Sequence, residues 1–219
     1  MSSVFLTERK GKRTARLPIT DPAEDIFQKE GDGWHREEHF LLSEYPLLQM
    51  RQFSHTNHCS LTALTSVFCC FRRQGFTRLP ADPQEVFSVV HDLARAHWIY
   101  TPVFGTYPWR MAELARRSWH HFGYPGKACT TFVLSPRDAL QDLFLDELRA
   151  HRPGLISFTF APYRSHTVTF YGAEIWTKGD QRRVYLCLNT HWSVVPQYVD
   201  VDTLGTWRGS YAALCLLRA

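Results

Sequence analysis

The stretch that decides the fold runs from residue 166 to residue 189 and reads HTVTFYGAEIWTKGDQRRVYLCLN. β-Branched and aromatic residues fill its two ends, 166–176 and 183–189, and such runs predict strands. Between them, Lys178-Gly179-Asp180-Gln181 has the composition of a tight turn, so an antiparallel hairpin is expected. Runs of similar composition predict further strands at 155–160, 194–202 and 211–217.

The region before this hairpin has helical periodicity instead. Leu61, Leu64 and Phe68 recur at helical spacing, and two arginines followed by Gly75 are typical of a helix end, so a largely buried helix is predicted over 59–73. Capping residues and prolines predict three more helices, over 83–97, 108–122 and 135–151. Helices followed by an antiparallel sheet indicate an α+β architecture.

The first 33 residues differ from the rest, because they mix charges with Gly, Pro and Asp. Residues 1–33 are expected to form a partly flexible leader with at most a short strand or turn of helix, and its basic residues at 9–16 are interpreted as solvated. No internal repeat or second change of composition follows, so residues 34–219 are expected to form a single domain.

Composition narrows the functional classes. The 219 residues are 44% hydrophobic, which is enough for a packed core. The net charge is +4, but the body of the chain has no basic stretch interleaved with aromatic residues, so no nucleic-acid partner is expected. No apolar run approaches the roughly 20 residues of a membrane span and no secretory signal is visible, which favours the cytoplasm. The six cysteines show no CxxC pairing, so neither a disulfide framework nor a cysteine zinc site is expected.

Cys59 is the candidate nucleophile because its setting differs from that of the other five cysteines. Its neighbours Asn57, His58 and Ser60 are small or polar, and it stands where the 59–73 helix begins. The macrodipole and free N–H groups at a helix start favour a negative charge and lower the pKa of a thiol. The alternative is a buried cysteine that only fills space.

His166 is the candidate base. A polar loop precedes it and a strand follows, so the imidazole is expected at the rim of the sheet, where it can face the start of a helix. Asn189 ends the next strand at the same end of the hairpin, and its amide would fix the orientation of the imidazole. Asn189 is equally consistent with a residue that starts a turn, and His191 is a weaker candidate for the base.

Two amides are candidates for the donor that stabilises an oxyanion. Gln52 lies seven residues before Cys59 and Asn57 lies two before it, and either could act together with the backbone N–H of Cys59. An ordinary polar loop residue is an equal alternative at both positions.

Three segments carry a family resemblance. Residues 57–64, NHCSLTAL, resemble the nucleophile segment of the C39-like branch of papain-fold cysteine peptidases. Residues 165–172 resemble the histidine strand of that family, and residues 186–190 resemble its segment with the orienting Asp or Asn. The resemblance spans residues 45–217 and implies a papain-like fold, a Cys-His-Asn site, no cofactor, and cleavage or transfer at an amide or thioester.

Other functions remain open at this point. Papain-like folds also include acyltransferases and transglutaminase-like enzymes, in which an amine resolves the acyl-enzyme, and the aromatic loop from Trp98 to Trp109 could hold an apolar acyl chain. A binding module without activity would keep the same fold. A metal site of His55, His58 and Cys59 lacks a clear fourth ligand. The expected partner is therefore a peptide or an acylated small molecule.

Overall fold

The structure is a computed structural model, and it describes residues 18–133, 138–159, 163, 165–204 and 212–218. This part of the chain mixes helices with an antiparallel sheet, so the predicted α+β class is confirmed. The helices are α1 (Pro22–Glu30), α2 (Cys59–Arg73), α3 (Pro83–Ala96), α4 (Met111–His121) and α5 (Asp138–Arg149). The strands are β1 (His35–Leu41), β2 (Tyr100–Thr101), β3 (Gly105–Thr106), β4 (Lys127–Val133), β5 (Gly154–Phe158), β6 (His166–Lys178), β7 (Gln181–Asn189), β8 (Gln197–Asp200) and β9 (Ala212–Arg218).

The long strand β6 organises the main sheet. The strand order is β4-β9-β5-β6-β7-β8, and β1 pairs with β6 as well. β5 pairs with the first part of β6 and β1 with the second part, while β7 runs along the opposite edge. The predicted hairpin is confirmed, because Lys178 pairs with Gln181 across the turn.

A bulge in β6 marks the place where its partner changes from β5 to β1. The register with β7 shifts between Phe170 and Gly172. A side chain at position 172 would collide with Leu41 and with the carbonyl oxygen of Phe40, so glycine is required for β1 to approach this closely. The bulge thereby displaces the first part of β6, which includes His166, by one residue relative to β7.

Helices cover both faces of the sheet. On one face, Leu155 and Leu217 pack with α2, α3 and α4, whose side chains include the fully buried Phe68. On the other face, Ile156 packs against α5, where Phe144 is fully buried. Leu155 and Ile156 are neighbours on β5 and point to opposite faces, as the pleat of a strand requires.

The sequence predicted α2 at its observed bounds, and its burial is confirmed, since every residue from Ser60 to Phe71 is buried. The helix expected over 108–122 begins instead with a 3-10 turn, Pro108–Arg110, before α4. The strands β1 and β4 were missed, so the expectation that helices come first and the sheet second is wrong. β1 was missed because its side chains are mostly exposed and its sequence has no apolar run.

The expected leader contains more structure than predicted. Residues 22–30 form α1, which is capped by the side chain of Asp21 and buries Ile26. The Tyr185 hydroxyl of β7 donates a hydrogen bond to Asp25 at 3.0 Å, so α1 is attached to the sheet. Residues 1–17, the cap at 135–136 and the strand end at residue 160 lie outside the described residues.

Candidate functional site

Cys59 is the first residue of α2 and is half-buried against the start of β6. Its sulfur accepts hydrogen bonds from the backbone and side chain of Thr167 and of Ser60. Thr167 directly follows His166 on β6, so Cys59 lies at the end of this strand that begins with His166. Successive residues of a strand point to opposite faces, and the hydrogen bonds of the described residues include none between Cys59 and His166.

The thiol of Cys59 is uncharged at neutral pH. Burial raises the pKa of Cys59 above its ordinary value, and the hydrogen bonds from Thr167 and Ser60 offset this only in part. The expectation from the helix start was a lowered pKa, which is wrong in direction. The reason is that the loss of water around the sulfur disfavours the thiolate more than the helix end and the donors favour it.

His166 is held in one tautomer by the main chain. Its Nε2–H donates a hydrogen bond to the carbonyl oxygen of Thr190 at 2.7 Å, and since a carbonyl only accepts, the neutral ring carries no proton on Nδ1. The ring of Trp192 stacks on the imidazole with centroids 3.9 Å apart. Burial lowers the pKa of His166 to about 4, although the hydrogen bond to Thr190 acts in the opposite direction. A neutral imidazole with a free lone pair has the form of a general base.

Asn189 does not orient His166 in this structure. Its Nδ2 donates hydrogen bonds to the Tyr45 hydroxyl at 3.3 Å and to the Leu48 carbonyl at 3.2 Å. Its Oδ1 accepts from the backbone N–H of His191 at 2.9 Å. The orienting role expected of Asn189 belongs to the Thr190 carbonyl, and Asn189 instead ties the segment at Leu48 to the turn after β7.

The register of the hairpin explains this correction. Asn189 pairs with Thr169, three residues further along β6 than His166. Three residues correspond to about 10 Å of strand, too far for the amide of Asn189 to reach the imidazole. The next residue, Thr190, extends past the end of β7 and presents its carbonyl to His166.

His191 is a structural histidine. Its Nδ1–H donates to the Leu48 carbonyl at 2.9 Å, and its Nε2 accepts from the Thr169 hydroxyl at 3.0 Å. The side chain is fully buried, and burial lowers its pKa to about 3. Because both ring nitrogens are engaged, His191 has no lone pair available for Cys59.

The two candidate oxyanion donors differ in availability. The Nδ2 of Asn57 donates to the carbonyl oxygens of Pro102 at 2.7 Å and of Val103 at 3.0 Å, so both of its amide hydrogens are used. The Oε1 of Gln52 accepts from the backbone N–H of Gln49 at 2.6 Å, which leaves the Nε2 group of Gln52 as the remaining amide donor. The expectation for Asn57 is therefore wrong in this conformation, whereas that for Gln52 stays a prediction.

Unusual backbone conformations border the site. Among the described residues, Asn57, Ser165 and His191 are non-glycine residues with positive φ, at 51°, 50° and 64°. Each lies within two residues of Cys59, of His166 or of the Thr190 carbonyl. Such conformations cost about 1–3 kcal/mol each and persist where the surrounding structure enforces them, which is common at functional sites.

Sequence reasoning missed Thr190 and Trp192. A main-chain acceptor such as the Thr190 carbonyl leaves no signal in the identity of its side chain. Trp192 was visible only as an aromatic residue in the turn after a predicted strand, and its stacking on His166 depends on how that turn folds back.

The histidines before Cys59 have other partners. The ring of His55 stacks on that of His91 with centroids 4.1 Å apart, and Nδ1 of His58 is hydrogen-bonded to the Thr62 hydroxyl at 2.9 Å. Within the described ranges, no three or more His, Cys, Asp or Glu side chains are grouped so as to hold a metal ion. The metal alternative therefore has no ligand set in this part of the chain.

No protein-family model matches the chain, and no curated protein matches it significantly. None of the helices in the described residues combines the length and the apolar character needed to cross a membrane. The function must therefore be inferred from the groups around Cys59.

Proposed function

We propose that this chain is a cysteine-nucleophile hydrolase with a papain-like fold, which cleaves an amide or thioester bond through an acyl-enzyme on Cys59. The observation that carries the proposal is a half-buried thiol at the start of a buried helix, beside Thr167, the residue that follows His166, whose tautomer is fixed by the Thr190 carbonyl. The arrangement of α2 against an antiparallel sheet supports the resemblance to papain-fold peptidases.

In the first half of the reaction, the sulfur of Cys59 attacks the substrate carbonyl while its proton passes to Nδ1 of His166. The electron pair of the carbonyl moves to its oxygen, and the backbone N–H of Cys59 and the amide of Gln52 stabilise the resulting oxyanion. The imidazolium then gives its proton to the leaving amine or thiol as the bond breaks. The Thr190 carbonyl stabilises the imidazolium through the hydrogen bond at 2.7 Å.

In the second half, water resolves the thioester on Cys59. Nδ1 of His166 takes a proton from the water as its oxygen attacks the acyl carbon, and the same proton returns to the sulfur when the C–S bond breaks. A carboxylic acid leaves and the neutral thiol is restored. The raised pKa of Cys59 and the lowered pKa of His166 both favour this uncharged resting pair.

The test compares Cys59→Ala with Cys129→Ala, since Cys129 is an exposed cysteine on β4. Turnover of fluorogenic peptide and thioester substrates should vanish in the first variant and persist in the second, with unchanged circular dichroism in both. Mass spectrometry should find an acyl adduct on Cys59. When an amine is added, the product should still be the carboxylic acid. Turnover by Cys59→Ala contradicts the proposal, and an amide product contradicts hydrolysis.

A further inference from the structure

Exposed apolar side chains are concentrated on two loops. Among the described residues, eleven large apolar side chains are exposed, and eight of them lie in residues 98–109 or residues 190–197. We call these segments the aromatic loop and the valine loop. The eight are Trp98, Val103, Phe104, Tyr107, Trp109, Trp192, Val194 and Val195. Single exposed apolar residues are ordinary, but a concentration of this kind marks a binding surface.

Both loops are also free of formal charge. The aromatic loop reads WIYTPVFGTYPW and the valine loop reads THWSVVPQ, without Asp, Glu, Lys or Arg, in a chain that is 21% charged. The single histidine, His191, is fully buried. Neither loop therefore offers a group that would pair with a charged ligand.

The aromatic loop is held beside Cys59 by the residues that precede the nucleophile. Asn57 donates to the carbonyl oxygens of Pro102 and Val103 at 2.7 and 3.0 Å. A Cβ at Gly105, where φ is +72°, would lie 3.0 Å from the carbonyl oxygen of Asn57, so glycine allows the loop to approach closely. Trp98 starts the loop at a φ of 54°, a costly conformation for a large residue, and is 79% exposed.

The valine loop is held beside His166. The Thr190 carbonyl accepts the Nε2–H of His166, and Trp192 stacks on the same ring. Asn57 therefore connects the aromatic loop to the segment of Cys59, and His166, the neighbour of Thr167, connects the start of β6 to the valine loop. Each of the two candidate catalytic residues therefore has one uncharged apolar loop attached beside it.

We infer that the substrate is an extended peptide segment with large apolar side chains on both sides of the scissile bond, an inference that rests on the proposed function. A single acyl chain would occupy only the acyl side of the attacked carbonyl and would leave one loop without a partner. A lipid surface is less favoured, because membrane-docking surfaces combine apolar residues with Lys or Arg, and neither loop carries one.

The first measurement uses Cys59→Ala, which cannot turn over, so binding is separated from chemistry. Peptides with apolar residues on both sides, on one side, or with serine on both sides are titrated by fluorescence anisotropy. The doubly apolar peptide should bind at least about 10-fold more tightly than either singly apolar peptide. Equal binding of the serine peptide overturns the inference. Tight binding without turnover by the wild type removes the hydrolase proposal and leaves the doubly apolar peptide as a ligand of the two loops rather than a substrate.

The second measurement assigns the binding to the two loops. Phe104→Ser and Val194→Ser, each made in Cys59→Ala, should weaken binding of the doubly apolar peptide by about 10-fold. The matched control is Phe27→Ser, which changes an exposed phenylalanine on α1. An equal loss in the control overturns the inference. Cosedimentation with phosphatidylcholine–phosphatidylglycerol vesicles, without peptide binding, overturns it in favour of a lipid surface.

Discussion

Acid should destabilise this protein because His166 is held uncharged in the folded chain. Burial lowers its pKa to about 4, whereas a histidine in an unfolded chain titrates near a pKa of about 6.5. Between these values the unfolded chain binds a proton at this residue and the folded chain does not. The free energy of unfolding therefore falls as the pH decreases from about 6.5 to about 4, and it is restored above this window.

The size of the effect follows from the two pKa values. One pKa unit corresponds to about 1.4 kcal/mol, so a decrease from pH 7.5 to pH 5 removes about 2 kcal/mol through His166. Burial lowers the pKa of His191 to about 3, and protonation of this residue removes a similar amount of stability. The two amounts are similar because pH 5 lies above the folded pKa of both histidines, so the loss depends on their common unfolded pKa. A sum of about 4 kcal/mol is a large part of the 5–15 kcal/mol typical of a folded domain.

The assay is urea unfolding at pH 7.5 and pH 5 for the wild type, His166→Gln and His120→Gln. The amide of Gln can still donate to the Thr190 carbonyl but does not titrate, so His166→Gln should lose about 2 kcal/mol less than the wild type over this interval. His120 is exposed on α4, and its variant is the control for replacing a histidine outside the site. An unchanged pH dependence in His166→Gln would refute the reasoning.

Three further predictions concern the site and the sheet. Burial raises the pKa of Cys59 above its ordinary 9.0, so iodoacetamide should alkylate this residue slowly at pH 7 and faster toward alkaline pH. Peptide mapping measures the rate at each pH. A rate that is already fast and constant below pH 6 would instead indicate a thiolate–imidazolium pair. Asn189→Ala should lower the free energy of unfolding by about 2–4 kcal/mol in urea titrations, since it removes three buried hydrogen bonds. It should leave the pH profile of Cys59 alkylation unchanged, and a shifted profile would restore Asn189 as the orienting group. Glu147→Gln should lower the free energy of unfolding at pH 7 by about 1–2 kcal/mol, because the buried carboxylate binds Arg152 at 2.7 Å and also Arg218. A melting temperature equal to that of the wild type would contradict this.

Local sequence determined those helices and strands whose bounds depend only on residues within or next to them. The periodicity of 59–73, with a polar start and Arg72-Arg73 before Gly75, determined the bounds of α2. The turn at Lys178–Gln181 determined the hairpin, because its backbone requirements depend on four adjacent residues. Cys59 at a helix start and His166 at a strand start followed from these elements alone.

Tertiary structure decided which groups meet and in which charge state. The bulge after Phe170 and the unequal lengths of β6 and β7 place Asn189 level with Thr169, so a main-chain carbonyl orients His166. A carbonyl exists at every residue, so no sequence pattern could have selected it. The pKa of Cys59 also depends on how much water the packed chain removes from the sulfur, and burial is a property of contacts between segments distant in sequence.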